Sequence, residues 1–134
     1  YCCKSVIPIM QRKMDGLIIN VSSWSGNHVS LLSGVSYTSS KHALNAMTET
    51  INMKYCNYGI RACALCPGEV ATAILDKRPK KLTIEQKNKM LQPDDLGETI
   101  SFLCQMPKHV CINELTISPT WHRRYIADLG IEKL

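Results

Sequence analysis

Long apolar runs are absent from this sequence of 134 residues. The longest, such as LIINV at 17–21, are far shorter than the roughly 20 apolar residues that a membrane-spanning helix needs. No stretch has the pattern of a signal peptide. Since 45% of the residues are apolar, the chain suffices for one compact domain or for part of a larger one. We expect a soluble protein of the cytoplasm that does not bind membranes.

The cysteines lack the even number and the spacing of a disulfide framework, although there are seven of them. They stand among apolar residues, so we interpret them as reduced, buried packing residues, which favours the cytosol. Cys63 and Cys66 form a C-x-x-C, but residues three apart on a strand point to opposite faces and cannot share a metal or pair easily. His109, Cys111 and His122 have no matching ligands at a recognised spacing, so no metal site is predicted.

A concentrated basic patch is also lacking, although the formal net charge is +5. The basic residues are scattered, and the densest group is DKRPKK at 76–81. We interpret this run as a solvated loop, because no aromatic residues accompany it or the pair at 123–124 as a stacking surface for bases. Nucleic-acid binding is therefore the weakest of the hypotheses considered.

Short apolar runs and helical patterns alternate along the chain. LIINV and IRACALC are short runs without alternation, which predicts strands buried on both faces as in a parallel sheet. In the helix predicted between them, Leu44, Met47 and Ile51 recur at helical spacing and are expected to face the core. This order predicts an α/β fold with a parallel sheet covered by helices. The predicted helices are 1–14, 37–55, 83–90 and one beginning at 93, and the strands are 17–21, 60–66 and 111–118, whereas the tail beyond 118 gives no clear pattern.

Three polar motifs follow the predicted strands or open a helix. Ser22 and Ser23 end the first strand, Tyr37 and Lys41 form a Y-x-x-x-K at the start of a helix, and PGEVAT at 67–72 follows the second strand. In a parallel sheet the carboxyl ends of the strands meet at one edge, so all three motifs are expected there. A lysine one helical turn after a tyrosine stabilises its phenolate, which lowers the phenol pKa from about 10 toward the range useful for proton transfer.

Together these motifs resemble the carboxyl-terminal half of the short-chain dehydrogenase/reductase family. The resemblance runs from about Lys4 to Thr120 and is carried by GLIINVSSWSG, YTSSKHALNAMTETI, GIRACALCPGEVAT and QPDDLGETISFL. It implies a Rossmann-like doubly wound parallel sheet, of which the carboxyl-terminal portion is present. It also implies an NADP- or NAD-dependent oxidoreductase that acts on a carbonyl or alcohol substrate and forms a homo-dimer or homo-tetramer when full length.

The resemblance also assigns roles to individual residues. Tyr37 is the general acid/base, Lys41 lowers its pKa and holds the nicotinamide ribose, and Ser23 orients the substrate oxygen. Ser23 is preferred to Ser22, although it stands fourteen residues before Tyr37, one more than is familiar in the family. Trp24 and the loop 27–32 would border the substrate. The residues matching the family's nicotinamide-carboxamide segment are Pro67, Gly68, Val70 and Thr72.

The glycine-rich turn that normally opens a dinucleotide-binding fold is missing. The seven glycines, at 16, 26, 34, 59, 68, 97 and 130, form neither G-x-x-x-G-x-G nor G-x-G-x-x-G. We therefore expect residues 1–134 to be a partial NAD(P)-binding domain whose amino-terminal half is missing, and to be inactive alone. The alternative is a catalytically inactive remnant that acts as an interaction or regulatory module. The Ser, Tyr and Lys motifs favour the enzyme, whereas the missing turn favours the remnant.

Overall fold

Helices and parallel strands alternate along the chain, as the sequence predicts. The structure, a computed structural model, describes residues 1–29, 32–77 and 81–131. None of the helices in those ranges is long and apolar enough to cross a membrane. The elements are α1 Cys2–Lys13, β1 Gly16–Val21, α2 Val35–Tyr55, β2 Ile60–Pro67, α3 Ile84–Asn88, α4 Pro93–Gln105, β3 Glu114–Ile117 and α5 Arg123–Asp128.

The three strands form one parallel sheet in the order β1-β2-β3. Val21 at the end of β1 is in register with Leu65, and Pro67 at the end of β2 is in register with Ile117. Because the strands run in one direction, their carboxyl ends meet at the same edge of the sheet. The segments that follow β1, β2 and β3 therefore start close together.

The strands differ in burial according to their place in the sheet. β2 is central, and Ala62, Leu65 and Cys66 have no exposed surface, which confirms the prediction of burial on both faces for this strand. The same prediction is wrong for β1, where only Ile18 is buried and Val21 is 52% exposed. Within the described part of the chain β1 pairs with β2 alone, so one of its edges and part of its faces have no covering element.

The main apolar core lies between one face of the sheet and the first two helices. Ile7 of α1 and Ile51 of α2 pack against it. Arg61 points to the opposite face and donates hydrogen bonds of 3.2–3.3 Å to backbone carbonyls just after α4, so the chain leaving α4 covers this second face. The core cluster consists of Ile7, Ile18, Ile51, Ile60 and Ala62.

The face of α2 that meets the sheet is largely polar, which the apolar pattern did not predict. Of the three predicted core positions Ile51 is buried, Leu44 is half-buried and Met47 is 41% exposed. Thr48, 1% exposed, takes the central position instead and accepts a hydrogen bond of 2.9 Å from Asn20 Nδ2. The prediction for Met47 is wrong because polar groups of the sheet need partners on this helix. The bonded residues on this stripe are Lys41, Asn45, Thr48 and Asn52.

Several predicted boundaries also differ from the structure. α2 begins at Val35, two residues before Tyr37, after Gly34 with φ of 73°. α3 begins after Thr83, whose side chain and that of Gln86 form a capping box, but it ends at Asn88. The last strand has four residues, not the predicted 111–118, and α5 was not predicted. Parts of two predicted loops, 30–31 and 78–80, lie outside the described residues.

Asn52 completes the hydrogen bonding of β2 where β3 has not yet begun. Its Oδ1 accepts from the N–H of Ala62 at 2.6 Å, and its Nδ2 donates to the carbonyl of the same residue at 2.8 Å. The pairing of β2 with β3 starts only at Ala64. The asparagine side chain thus takes the place of a strand residue beside a fully buried backbone unit.

Replacement of this asparagine should therefore destabilise the fold. In an Asn52→Leu variant both polar backbone groups of Ala62 lose their partner, and we expect the free energy of unfolding to fall by about 2–3 kcal/mol. Chemical denaturation measures this change. Glu49→Ala, an exposed position on the same helix, is the control and should stay within about 0.5 kcal/mol of the parent. An equally small effect for Asn52→Leu would contradict the bridging role.

The seven cysteines are all unpaired, but not all of them are packing residues. Cys63 and Cys66 are buried on β2, as predicted, and burial raises the pKa of the Cys63 thiol to about 11. The prediction of burial is wrong for the four cysteines that lie at helix ends or in the segment before β3, where neighbouring residues do not cover them. The exposed cysteines are Cys2, Cys56, Cys104 and Cys111.

This difference in exposure predicts which thiols react. Alkylation of the native protein with iodoacetamide at about pH 8 should modify the four exposed cysteines and leave Cys63 and Cys66 unmodified, because a thiol without its thiolate form is a poor nucleophile. Mass spectrometry of peptides identifies the labelled sites. Labelling in denaturant should reach all seven. Equal rates for Cys63 and Cys111 in the native protein would refute the prediction.

Candidate active site

A cavity of about 930 Å³ lies where the chain leaves β1 and β2. Because its walls come from segments beyond the carboxyl ends of these strands, it occupies the edge of the sheet where ligands of parallel α/β folds bind. Lys41 does not line the cavity, in contrast to the other residues singled out from the sequence. The predicted site residues on its wall are Ser23, Tyr37, Pro67, Gly68, Val70 and Thr72.

Tyr37 and Lys41 lie one turn apart near the start of α2. The Tyr37 side chain is half exposed toward the cavity, and the Lys41 ammonium is 5.7 Å from the centroid of its ring. The same ammonium donates a hydrogen bond of 3.0 Å to the carbonyl of Val21, the last residue of β1. The lysine is thus fixed between the end of β1 and the Tyr37 ring.

The two serines after β1 differ in what they bind. Ser23 Oγ accepts the N–H of Ser25 at 3.1 Å, and within the described residues no acceptor takes its own proton. Ser22 is buried, and its hydroxyl donates to the backbone carbonyl of Lys41 at 3.3 Å. Ser23 therefore keeps a donor for a ligand in the cavity, whereas Ser22 ties β1 to α2.

The loop after β2 presents backbone groups to the cavity. Gly68 donates its N–H to the carbonyl of Ile117 at 2.7 Å, and a Cβ at this position would lie 3.2 Å from atoms of both Ser118 and Pro119. Only a residue without a side chain fits here without moving the neighbouring chain. The glycine thus lets the loop pass close to the end of β3.

Val70 is the residue of this loop with free polar backbone groups. It forms an isolated parallel bridge with Leu91, in which the hydrogen bonds come from the residues on either side of Val70. The N–H of Ala71 donates to the carbonyl of Leu91 at 2.8 Å, and the N–H of Leu91 donates to the carbonyl of Glu69 at 3.0 Å. In the described part of the chain the N–H and C=O of Val70 itself have no partner. One donor and one acceptor side by side are what a primary carboxamide requires.

Residues 1–83 match the family described as short chain dehydrogenase. The chain belongs to this family. An uncharacterised oxidoreductase of Staphylococcus aureus (strain MRSA252) is 30% identical over 119 residues, which are 89% of this chain and 49% of the relative. The chain spans about half the length of the curated relatives it matches. The family resemblance seen in the sequence motifs is thereby confirmed.

Solved structures of full-length relatives confirm the Rossmann-like fold. A β-ketoacyl-[ACP] reductase from Bacteroides thetaiotaomicron is 31% identical, has a TM-score of 0.72, and is covered over 49% of its length by 92% of this chain. An alcohol dehydrogenase from the archaeon Thermococcus sibiricus, solved with 5-hydroxy-NADP, is 27% identical with a TM-score of 0.73; the match covers 90% of this chain and 48% of that one. The chain therefore forms the carboxyl-terminal portion of a doubly wound parallel sheet.

Part of the cavity wall comes from a cluster at α5 that the sequence motifs did not reveal. The cluster, called the α5 cluster below, consists of Trp24, His28, His122 and Arg124. The Trp24 ring stacks on the His28 ring with centroids 3.9 Å apart, and the centroid of the His122 ring lies 4.9 Å from that of Trp24. The Arg124 guanidinium carbon lies 5.4 Å from the Trp24 ring centroid. Trp24 was predicted to border the substrate, whereas His122 was considered only as a metal ligand. No group of three or more metal-ligating side chains exists in the described ranges.

A salt bridge connects this cluster to the loop after β2. Arg123 Nη2 lies 3.0 Å from a carboxylate oxygen of Glu69, and both residues line the cavity. α5 has six residues and no apolar periodicity, so nothing in the sequence pattern marks it. Its place next to the proposed site follows from the path of the chain after β3.

His122 is buried, with its Nδ1 lacking a hydrogen-bond partner among the described residues. Its pKa is lowered from the ordinary value of 6.5, first by desolvation and further by the positive charges of Arg124 and His28, against the opposing effect of Glu69. The imidazole is consequently a neutral part of the wall near pH 7. Its ring also contacts that of Tyr125, at 4.3 Å between centroids.

The lowered pKa predicts a loss of stability in mild acid. Below pH 6.5 the unfolded chain protonates this histidine while the folded protein does not, so the free energy of unfolding falls as the pH drops from 6.5 toward the lowered folded value. Denaturation measured from about pH 7 to pH 5 should show a smaller loss for His122→Phe than for the parent. His109→Gln, at an exposed position, is the control and should keep the parental slope. Parallel curves for parent and His122→Phe would contradict the assignment.

Proposed function

We propose that the protein is a nicotinamide-dependent oxidoreductase that interconverts a carbonyl compound and its alcohol, with Tyr37 as general acid/base. The observation that carries the proposal is the meeting of Ser23, Tyr37 and the 67–72 loop on one cavity at the carboxyl edge of the sheet. Lys41 does not line the cavity but also supports the proposal, since its ammonium lies 5.7 Å from the centroid of the Tyr37 ring. The family membership supports the same reaction class.

The groups on the cavity wall fit a nicotinamide nucleotide. The unpaired N–H and C=O of Val70 match the carboxamide, and the hydroxyl of Thr72 lies on the same wall. The Tyr37 hydroxyl lies on the same wall and matches a ribose hydroxyl, whereas Lys41 does not line the cavity and its contact with the ribose is proposed from the family resemblance alone. Two related structures support the cofactor class: the Thermococcus sibiricus alcohol dehydrogenase was solved with 5-hydroxy-NADP, and a 7α-hydroxysteroid dehydrogenase was solved with NADH. We propose NADP or NAD as the cofactor, with Pro67 and Gly68 shaping the loop that holds it.

The side chains perform the proton chemistry. A bound nicotinamide ring supplies the hydride for reduction or accepts it in oxidation. As hydride adds to the carbonyl carbon, negative charge develops on the oxygen, and Tyr37 transfers its hydroxyl proton to that oxygen. The free Ser23 hydroxyl donates a hydrogen bond to the same oxygen and stabilises its charge. Lys41 stabilises the phenolate that remains, and in alcohol oxidation each proton moves in reverse.

The described elements account for part of such an enzyme. We assign residues 1–134 to the carboxyl-terminal part of a nicotinamide-binding Rossmann-like domain, because they match half of the relatives and contain no glycine-rich phosphate-binding turn. The unpaired state of all seven cysteines supports a cytoplasmic location. Exposed apolar residues on α1 and α2 support a homo-dimeric or homo-tetrameric assembly through these helices; they are Ile9, Val35, Met47 and Met53.

The Tyr37→Phe variant of the full gene product tests the proposal. Turnover of the best substrate from a panel of aldehydes and ketones should fall by about 10²–10⁴-fold, because the phenyl ring has no proton to transfer. The dissociation constants for NADPH and NADH, measured by nicotinamide fluorescence, should stay close to those of the parent. Tyr55→Phe, on the same helix but at the apolar core, is the matched control and should retain parental turnover.

Two results would overturn the proposal in different ways. Retention of most of the activity by Tyr37→Phe would reject the assigned proton donor while leaving an oxidoreductase. If the folded gene product binds neither NADPH nor NADH, the enzyme hypothesis fails and the inactive interaction module takes its place. That alternative is supported by the same exposed residues of α1 and α2.

A further inference from the structure

The α5 cluster indicates what the substrate carries besides its carbonyl or hydroxyl group. We propose that the substrate is an oxo acid or hydroxy acid whose carboxylate is bound by Arg124, with an apolar chain between the two functional groups. This inference rests on the proposed function, since it uses the same cavity, and it adds the chemical class of the substrate. It depends on three observations: the charge balance of the wall, the placement of Arg124, and the apolar surface beside it.

Of the charged side chains on the described part of the cavity wall, one positive group has no negative partner and is available to a ligand. Three charged side chains line the described part of the cavity, namely Glu69, Arg123 and Arg124. Arg123 lies 3.0 Å from the Glu69 carboxylate, so these two charges compensate each other. Arg124 has no carboxylate partner among the described residues. The His122 imidazole beside it is buried and adds no charge near pH 7.

The exposed Arg124 side chain lies against an aromatic ring. Its guanidinium carbon is 5.4 Å from the centroid of the buried Trp24 ring, and this indole is itself stacked on His28. An arginine packed on an aromatic face keeps its N–H groups at the edge of the guanidinium plane, where two of them can bind a carboxylate in parallel. Because Trp24 directly follows Ser23, the anion site and the proposed oxyanion donor are placed by the same short turn.

Apolar side chains cover the wall around these polar groups. Leu75 is 3% exposed and forms part of the floor, and the other apolar residues lie around the opening. Such a surface suits the methylene groups of a substrate. A chain of several carbons between the reacting oxygen and the carboxylate fits a cavity of about 930 Å³. Besides Trp24, Pro67 and Val70, the apolar lining contains Val29, Leu32, Ile74, Leu75 and Ala127.

Binding of a non-reactive anion tests the carboxylate site independently of catalysis. Octanoate and octanamide have the same chain but differ in charge, and isothermal titration calorimetry compares their affinities for the full gene product. We expect octanoate to bind about tenfold more tightly than octanamide, as a charge-assisted pair predicts. Arg124→Gln should remove this preference, and Arg124→Lys should keep part of it. Arg12→Gln, at the distant end of α1, is the matched control and should leave the preference unchanged.

Kinetics then relate the anion site to turnover. For an aliphatic oxo acid and its methyl ester, the parent should favour the acid in kcat/KM by about tenfold, and in Arg124→Gln this ratio of acid to ester should fall to about one. Equal affinity of the parent for octanoate and octanamide, or an unchanged preference in Arg124→Gln, would overturn the inference. Failure of the proposed function is distinguishable from this result: Tyr37→Phe would then keep its turnover, or the gene product would bind neither NADPH nor NADH, whatever octanoate shows.

Discussion

The parallel pairing of β2 with β1 and β3 is the constraint on which the site depends. β2 is buried on both faces and in register with both neighbours, so the positions where the three strands end are fixed relative to one another. The turn that contains Ser22 and Ser23 follows β1, and the PGEVAT loop follows β2. A shift of either pairing by one residue would reverse the faces of a strand and separate these segments. The site therefore derives its geometry from strand register more than from contacts among the site residues.

Hydrogen bonds between α2 and the sheet fix the position of this helix, which contains Tyr37, relative to the strands. Lys41 reaches the end of β1 through the Val21 carbonyl, Thr48 binds Asn20 in the middle of that strand, and Asn52 binds Ala62 on β2. An apolar face would hold the helix near the sheet but would permit small rotations and shifts along it. Directional bonds at three levels permit only one placement, and the phenol position follows from it.

The sequence was sufficient for the elements that obey simple periodicities and for the motifs attached to them. The buried run of β2 and the order of strands and helices are local features, and the edge at which Ser23, Tyr37 and the 67–72 loop meet follows from parallel pairing. Met47 was misplaced because a hydrophobic pattern does not register a polar stripe such as that containing Thr48. The partial exposure of β1 depends on which strands and helices lie beside it, and the residues of β1 alone do not specify those neighbours.

α5 shows a different limit of sequence reasoning. Its residues have meaning only through partners far away along the chain: Arg123 with Glu69, and Arg124 with Trp24. Through these contacts α5 touches both loops that carry the proposed catalytic groups. The loops themselves are held by backbone bonds and strand register, and in the proposed reaction they supply the groups that react. The α5 contacts, by contrast, are side-chain contacts, so their residue types can change without disturbing the sheet. The two proposals thereby separate substrate choice from the reaction: they assign the placement of the reacting groups to the strands and the selection of the substrate to a short helix.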